Sequence, residues 1–244
     1  MLRRLNETET VVATWPTVNW WLPAILSTTA GAVDVIGFLV FGGLFTAHIT
    51  GNLVVVAAHY VTGGFGQVGP MLAVPVFVAA LGAVVLLFGG IERGKSRRGL
   101  LVLHAVLLAG CLGLGLRFGP FRNPDSPVAV LAGMLAVAAM ATQNALVKLA
   151  LVKSPSTAVM TTNTTQLIVD VAALVRSTEG PAKLGETWLR ARLTFLCMAG
   201  FIGGCVAGAV LELRFGVGAL VLPVILATIA IRLGEQKGTT YEQF

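Results

Sequence analysis

A lone aspartate inside a long apolar run is the first residue of this chain with chemical potential. Asp34 shares one helical face with Ser27 and Gly31, at i, i+4 and i+7. A carboxyl at membrane depth is expensive and normally faces a bundle interior or a water-filled cavity. It can hold a proton or cation there, or bond a neighbouring helix. Soon after it the chain reads Thr46-Ala47-His48-Ile49-Thr50-Gly51-Asn52. At an offset of 111 residues (46 to 157) comes Thr157-Ala158-Val159-Met160-Thr161-Thr162-Asn163, with Thr46/Thr157, Ala47/Ala158, Thr50/Thr161 and Asn52/Asn163 identical. Hydroxyls and amides give a ligand neutral donors and acceptors. They also cap helices at a break, where free backbone N–H groups need partners. Gly51 permits close backbone approach.

More polar residues surround the two copies. Asn163, Gln166 and Asp170 follow one another along a helical face, and His48, Asn52 and His59 fall roughly on another. Gln143 and Asn144 occur where the second copy matches the region of Asp34, with Ala145 opposite Asp34 itself. Lys148, four residues after Asn144, can snorkel to the membrane surface or reach Asp170. The expected substrate contacts are therefore Thr50, Gly51, Asn52, Gln143, Asn144, Thr161, Asn163 and Gln166. Asp34, His48 and Asp170 are the expected proton or cation groups. His48 has no Cys or carboxylate pattern around it that marks a metal site, and lone His104 reads as an interhelical hydrogen bond. No nucleophile elbow, metalloprotease motif, P-loop or dinucleotide fingerprint occurs, so no enzyme, catalytic residue, cofactor or metal is expected.

These residues need elements to hold them. The 244-residue chain is 56% hydrophobic and 11% charged, with a mean hydropathy of +0.85; soluble domains carry about 25% charged residues. Six apolar runs are long enough to cross a bilayer: 20–45, 69–91, 99–117, 127–151, 190–211 and 216–232. Segments 46–62 and 157–175 contain the repeated motifs and have apolar parts too short for a full crossing. If both return to the side they came from, all 17 Lys and Arg except Arg117, Arg122 and Arg214 fall on the side of the N-terminus. If both cross fully, the split is far more even. The positive-inside rule thus favours six full crossings with both termini cytoplasmic. Each half then holds three crossings and must be inserted with opposite orientation, the inverted-repeat plan of many secondary transporters. Eight crossings with parallel repeats are the alternative.

The expected fold is an all-α polytopic membrane protein. It has a cytoplasmic segment 1–19, a first repeat 20–117, an external linker 118–126, a second repeat 127–232 and a cytoplasmic tail 233–244. No cleaved signal peptide is read in the first 19 residues. The net charge of +6 reports topology, because the basic residues sit between apolar runs; nucleic acid is not an expected partner. Trp15, Trp20, Trp21 and Trp188 read as interfacial anchors. Pro75 and Pro223 are expected to bend their helices. Cys111, Cys197 and Cys205 read as packed thiols. Gly200, Gly204 and Gly208 form a close-packing stripe, used within one chain or in a homodimer.

The stretch Ala30 to Phe38 followed by Gly43 to Asn52, with Gln143-Asn144-Ala145 and Val159 to Gln166, resembles the paired signatures of the YoaK-like family of bacterial inner-membrane proteins. Thr162 departs from the Thr-Gly-Asn usual there. The resemblance implies a six-pass inner-membrane protein from a family of undefined function, often called a permease. A small-molecule or ion transporter within the lipid bilayer is the leading expectation, its site at the repeat interface near the midplane. A channel of the same symmetry and a non-transporting scaffold or sensor are the alternatives.

Overall fold

Apolar runs in a lipid setting must pair their own backbone groups, and helices do so within one segment. The computed structural model describes residues 19–62, 68–152, 154–176 and 180–235. Arg3, Arg4, Trp15, Lys153 and Lys237 lie outside them, as does most of both terminal segments. All regular structure in the described residues is helical: α1 (Trp21–Val40), α2 (Ile49–Val61), α3 (Val68–Phe88), α4 (Arg93–Phe118), α5 (Pro127–Ala150), α6 (Met160–Arg176), α7 (Pro181–Phe215), a 3₁₀ turn (Gly216–Leu220) and α8 (Val221–Glu235). Among the described residues, five stretches are long and apolar enough to cross a membrane: α1, α3, α4, α5, and the 55-residue stretch Pro181–Glu235. That last stretch breaks at Gly216, whose φ of +52° only glycine adopts easily. The outer surface is that of a membrane protein. Leu86 and Leu87 on α3 are 87% and 69% exposed, and Leu213 on α7 is 83% exposed.

Element ends differ from the apolar runs for local reasons. α1 stops at Val40, not 45, because Gly42 and Gly43 take positive φ and reverse the chain. α7 starts at Pro181, not 190, since a proline suits a helix start and polar residues extend the helix beyond the apolar run. Pro75 lies inside α3. Pro223 instead falls in the first turn of α8, where its missing N–H costs no helix bond.

Helix directions follow from the closest contacts. α1 and α7 run parallel, with Gly200 against Ala24, Gly204 against Thr28 and Gly208 against Ala32. α1 and α5 run antiparallel: Gly133 abuts Phe41 and Leu44, while Gln143 reaches Leu26. The packing pairs exchange between halves: α1 lies on α7 as α5 lies on α3, α4 on α5 as α8 on α1, and α2 on α3 as α6 on α7.

The core divides into two levels. One gathers Leu22, Leu26, Leu100, Leu101, Leu146 and Ala230. The other gathers Ile36, Phe41, Leu44, Ala136, Met140 and Leu220. The start of α4, with Arg97 and Arg98, and the end of α8, with Arg232, lie at the first level. Arg117 and Arg214 lie at the second.

Candidate functional site

The first motif is a break folded back onto α1. Asp34 is 5% exposed, which would be prohibitive for an unpaired carboxylate. Its Oδ1 accepts backbone N–H bonds from Thr46 and Ala47, both at 2.8 Å, and a bond from the Thr46 hydroxyl at 3.3 Å. Its Oδ2 lies 2.6 Å from His48 Nδ1. An ionised Asp34 therefore places a proton on His48 Nδ1 and leaves Nε2 to accept or donate as protonation changes. The His48 side chain is 38% exposed against 6% for Asp34, so the imidazole stands between the carboxylate and the outside. Phe45 and Phe201 flank the ring edge-on at 6.2 and 5.5 Å.

Asn52 completes this break. Its amide nitrogen donates to Phe45 O at 2.7 Å, and its Oδ1 accepts from Phe45 N at 2.9 Å. The side chain is fully buried and turned inward. Thr50 is exposed on the outer side, and a Cβ on Gly51 would meet the Phe45 ring at 2.9 Å.

The second break is held by neutral groups. Gln143 Nε2 donates to Leu26 O on α1 at 3.0 Å and to the Thr157 hydroxyl at 2.9 Å. Gln143 thus performs from α5 the holding role that Asp34 performs from α1, two positions before its matched site. Asn163 donates to Ser156 O at 2.7 Å, and the Ser156 hydroxyl accepts from the Val159 amide at 2.9 Å. Asn144 bonds back to Met140 O in its own helix. The two breaks are attached to α1 at Leu26 and Asp34, eight positions or about 12 Å apart along the helix.

A third cluster ties α6 to α7. Asp170 is fully buried. Arg190 forks onto it, Nε to Oδ2 at 2.9 Å and a terminal nitrogen to Oδ1 at 2.6 Å, and Gln166 donates to Oδ1 at 2.8 Å. Arg190, not Lys148, is the partner; Lys148 is exposed. Thr161, Thr162, Thr165, Gln166 and Val169 line an open recess of about 370 Å³ along α6. His104 Nδ1 bonds Ala139 O on α5 at 2.9 Å, the interhelical bond expected of it.

The chain matches, over residues 22–233, the family model described as a protein of unknown function, DUF1275. The match spans the bundle from the start of α1 to the last turns of α8. The chain belongs to the DUF1275 family. No curated protein and no solved structure matches it.

In this DUF1275 member the expected residues divide among three clusters. Asp34, His48 and Asn52 meet at the first break with Thr46. Gln143, Thr157 and Asn163 hold the second. Asp170 and Gln166 join Arg190 at the third. α2 packs on α3 and α6 on α7, and neither is a principal packing partner of the other. The sequence reading missed Arg190, which was counted as a topology charge. The signal was present: a buried Asp170 requires a cation, and Arg190 opens the apolar part of α7. The glycine stripe is used within the chain, since a Cβ on Gly204 would lie 2.1 Å from Thr28 O.

Proposed function

We propose that this DUF1275 protein is a proton- or cation-coupled secondary transporter for a small polar molecule, built from two halves of opposed orientation. Six full crossings and two shorter helices, α2 and α6, make up its membrane domain. Antiparallel α1 and α5, and the exchange of packing pairs between halves, support this plan. The Lys and Arg distribution favours the cytoplasm of a bacterial cell, reached through its inner membrane, as the home of both termini.

The observation that carries the reading is Asp34. Its carboxylate bonds the amides of a broken helix and a half-exposed imidazole at once. Proton arrival at His48 or Asp34 would change the charge of the group that fixes the break. A local protonation event would thus bias a two-state element, which is what coupling requires. Exposed Thr50 and Thr161, and half-buried Gln166 through the amide oxygen left free of Asp170, supply neutral hydrogen bonding to the solute.

Proteoliposome uptake of a metabolite panel, with and without a pH gradient, tests the proposal. The wild type should accumulate at least one solute above equilibrium when the gradient is imposed. Asp34→Asn keeps an oxygen for the Thr46 and Ala47 amides but loses the titratable charge, so accumulation should fall at least tenfold while the protein stays folded. Unchanged gradient-driven accumulation in Asp34→Asn removes the coupling role. Flux that only equilibrates identifies a channel instead.

A further inference from the structure

Arg192 packs against two indole rings. Its guanidinium carbon lies 4.9 Å from the Trp20 ring centroid and 5.5 Å from that of Trp188. Trp20 in turn stacks on Trp21 at 3.9 Å. Lys95, Arg98 and Arg190 pair with Glu92, Glu235 and Asp170. Among the described residues Arg192 has no carboxylate partner. Indole contact covers guanidinium faces and leaves the in-plane N–H edge as a preset fork for an oxyanion.

The position suits one source of that oxyanion. Trp21 and Trp188 are 47% and 53% exposed, as rings at a membrane–water boundary are. Below Arg192, α7 exposes Phe195, Ile202, Val206, Val210 and Leu213 in a stripe. Residues 195 to 213 cover about 27 Å, most of the hydrocarbon thickness. A fork at the boundary above an apolar track fits a molecule with a phosphate head and acyl chains.

We propose that Arg192, Trp20 and Trp188 form a binding site for the phosphodiester of an anionic phospholipid, whose acyl chains lie along α7. A zwitterionic headgroup brings its own cation, which competes for the phosphate and is repelled by the basic end of the bundle. The inference does not depend on the transport reading.

The test is titration of the full-length protein in neutral detergent with short-chain phosphatidylglycerol, phosphatidylcholine or inorganic phosphate, read by tryptophan emission. Phosphatidylglycerol should give a saturable change at least tenfold tighter than phosphatidylcholine, and inorganic phosphate should give none in that range. Arg192→Gln should weaken phosphatidylglycerol binding at least tenfold. Arg192→Lys keeps the charge but loses the stacked fork, and should weaken it several-fold; it serves as the test if the glutamine variant fails to fold. Equal affinity for the two lipids, or undiminished binding by the folded variants, overturns the proposal. Saturation by inorganic phosphate in the same range assigns the site to a soluble anion and overturns it too.

Discussion

At the scale of single residues, the polar groups at the breaks hold backbone. Asp34 and Asn52 were legible in the sequence as polar residues at membrane depth. Their partners were not, because these are backbone atoms of Phe45, Thr46 and Ala47, whose positions depend on the turn at Gly42 and Gly43. The repeated asparagines are unequal for the same reason. Asn52 satisfies both the N–H and the C=O of Phe45, whereas Asn163 bonds one carbonyl, that of Ser156, with a long contact to the Met160 sulfur. Removing a partner strands the other group, at about 1–3 kcal/mol each. Asn52→Ala should therefore lower stability by about 2–6 kcal/mol and Asn163→Ala by about half as much. Thermal unfolding in one detergent, monitored by circular dichroism, compares them; equal losses would mean that the second Phe45 bond contributes nothing.

At the scale of elements, the apolar runs located the long helices well, because length and hydropathy alone set them. Helix contacts were less legible: the stripe Gly200, Gly204 and Gly208 marked a close-packing face without naming its partner. The partner is α1, whose backbone takes the space a side chain would fill. Neighbouring glycines on α7 then predict opposite outcomes. A Cβ on Gly204 would fall 2.1 Å from Thr28 O, while one on Gly203 meets nothing within 4 Å. Gly204→Ala must push α1 from α7 and should cost about 1–3 kcal/mol. Gly203→Ala gains helix propensity and should be neutral or stabilising by up to about 1 kcal/mol. The same melting assay reads both, and a harmless Gly204→Ala would contradict the close packing of α1 and α7. α6 and α2 differ in a comparable way, since the Arg190 fork holds only α6. Hydrogen–deuterium exchange should be slower in α6 than in α2. Arg190→Gln should erase most of that difference, and an unchanged difference would show that the ion pair does not hold the helix.

At the scale of the whole molecule, the two repeats share packing but not chemistry. The first break is held by an ionisable pair and the second by Gln143 and Thr157, with Ala145 and Val159 at the positions matched to Asp34 and His48. In the proposed transporter a coupling proton would therefore act on one half alone. The proposed plan inserts the halves in opposition, which labelling can decide. α2 has 13 residues and α6 has 17, about 20 and 26 Å of helix, both short of a hydrocarbon core of about 30 Å. If neither crosses fully, residues 95 and 183 lie on one side of the membrane and residue 122 on the other. If both cross, residue 183 changes partners, because 95 moves to the opposite side and 122 joins it. Single Lys95→Cys, Arg122→Cys and Lys183→Cys variants in a Cys205→Ala background, with Cys111 and Cys197 left buried, report this with a membrane-impermeant maleimide. In inside-out vesicles positions 95 and 183 should label and position 122 should not, with the pattern reversed in right-side-out vesicles. Labelling of 95 and 183 from opposite sides would contradict the antiparallel α1 and α5 and remove the basis for opposed half-helices carrying one-sided coupling.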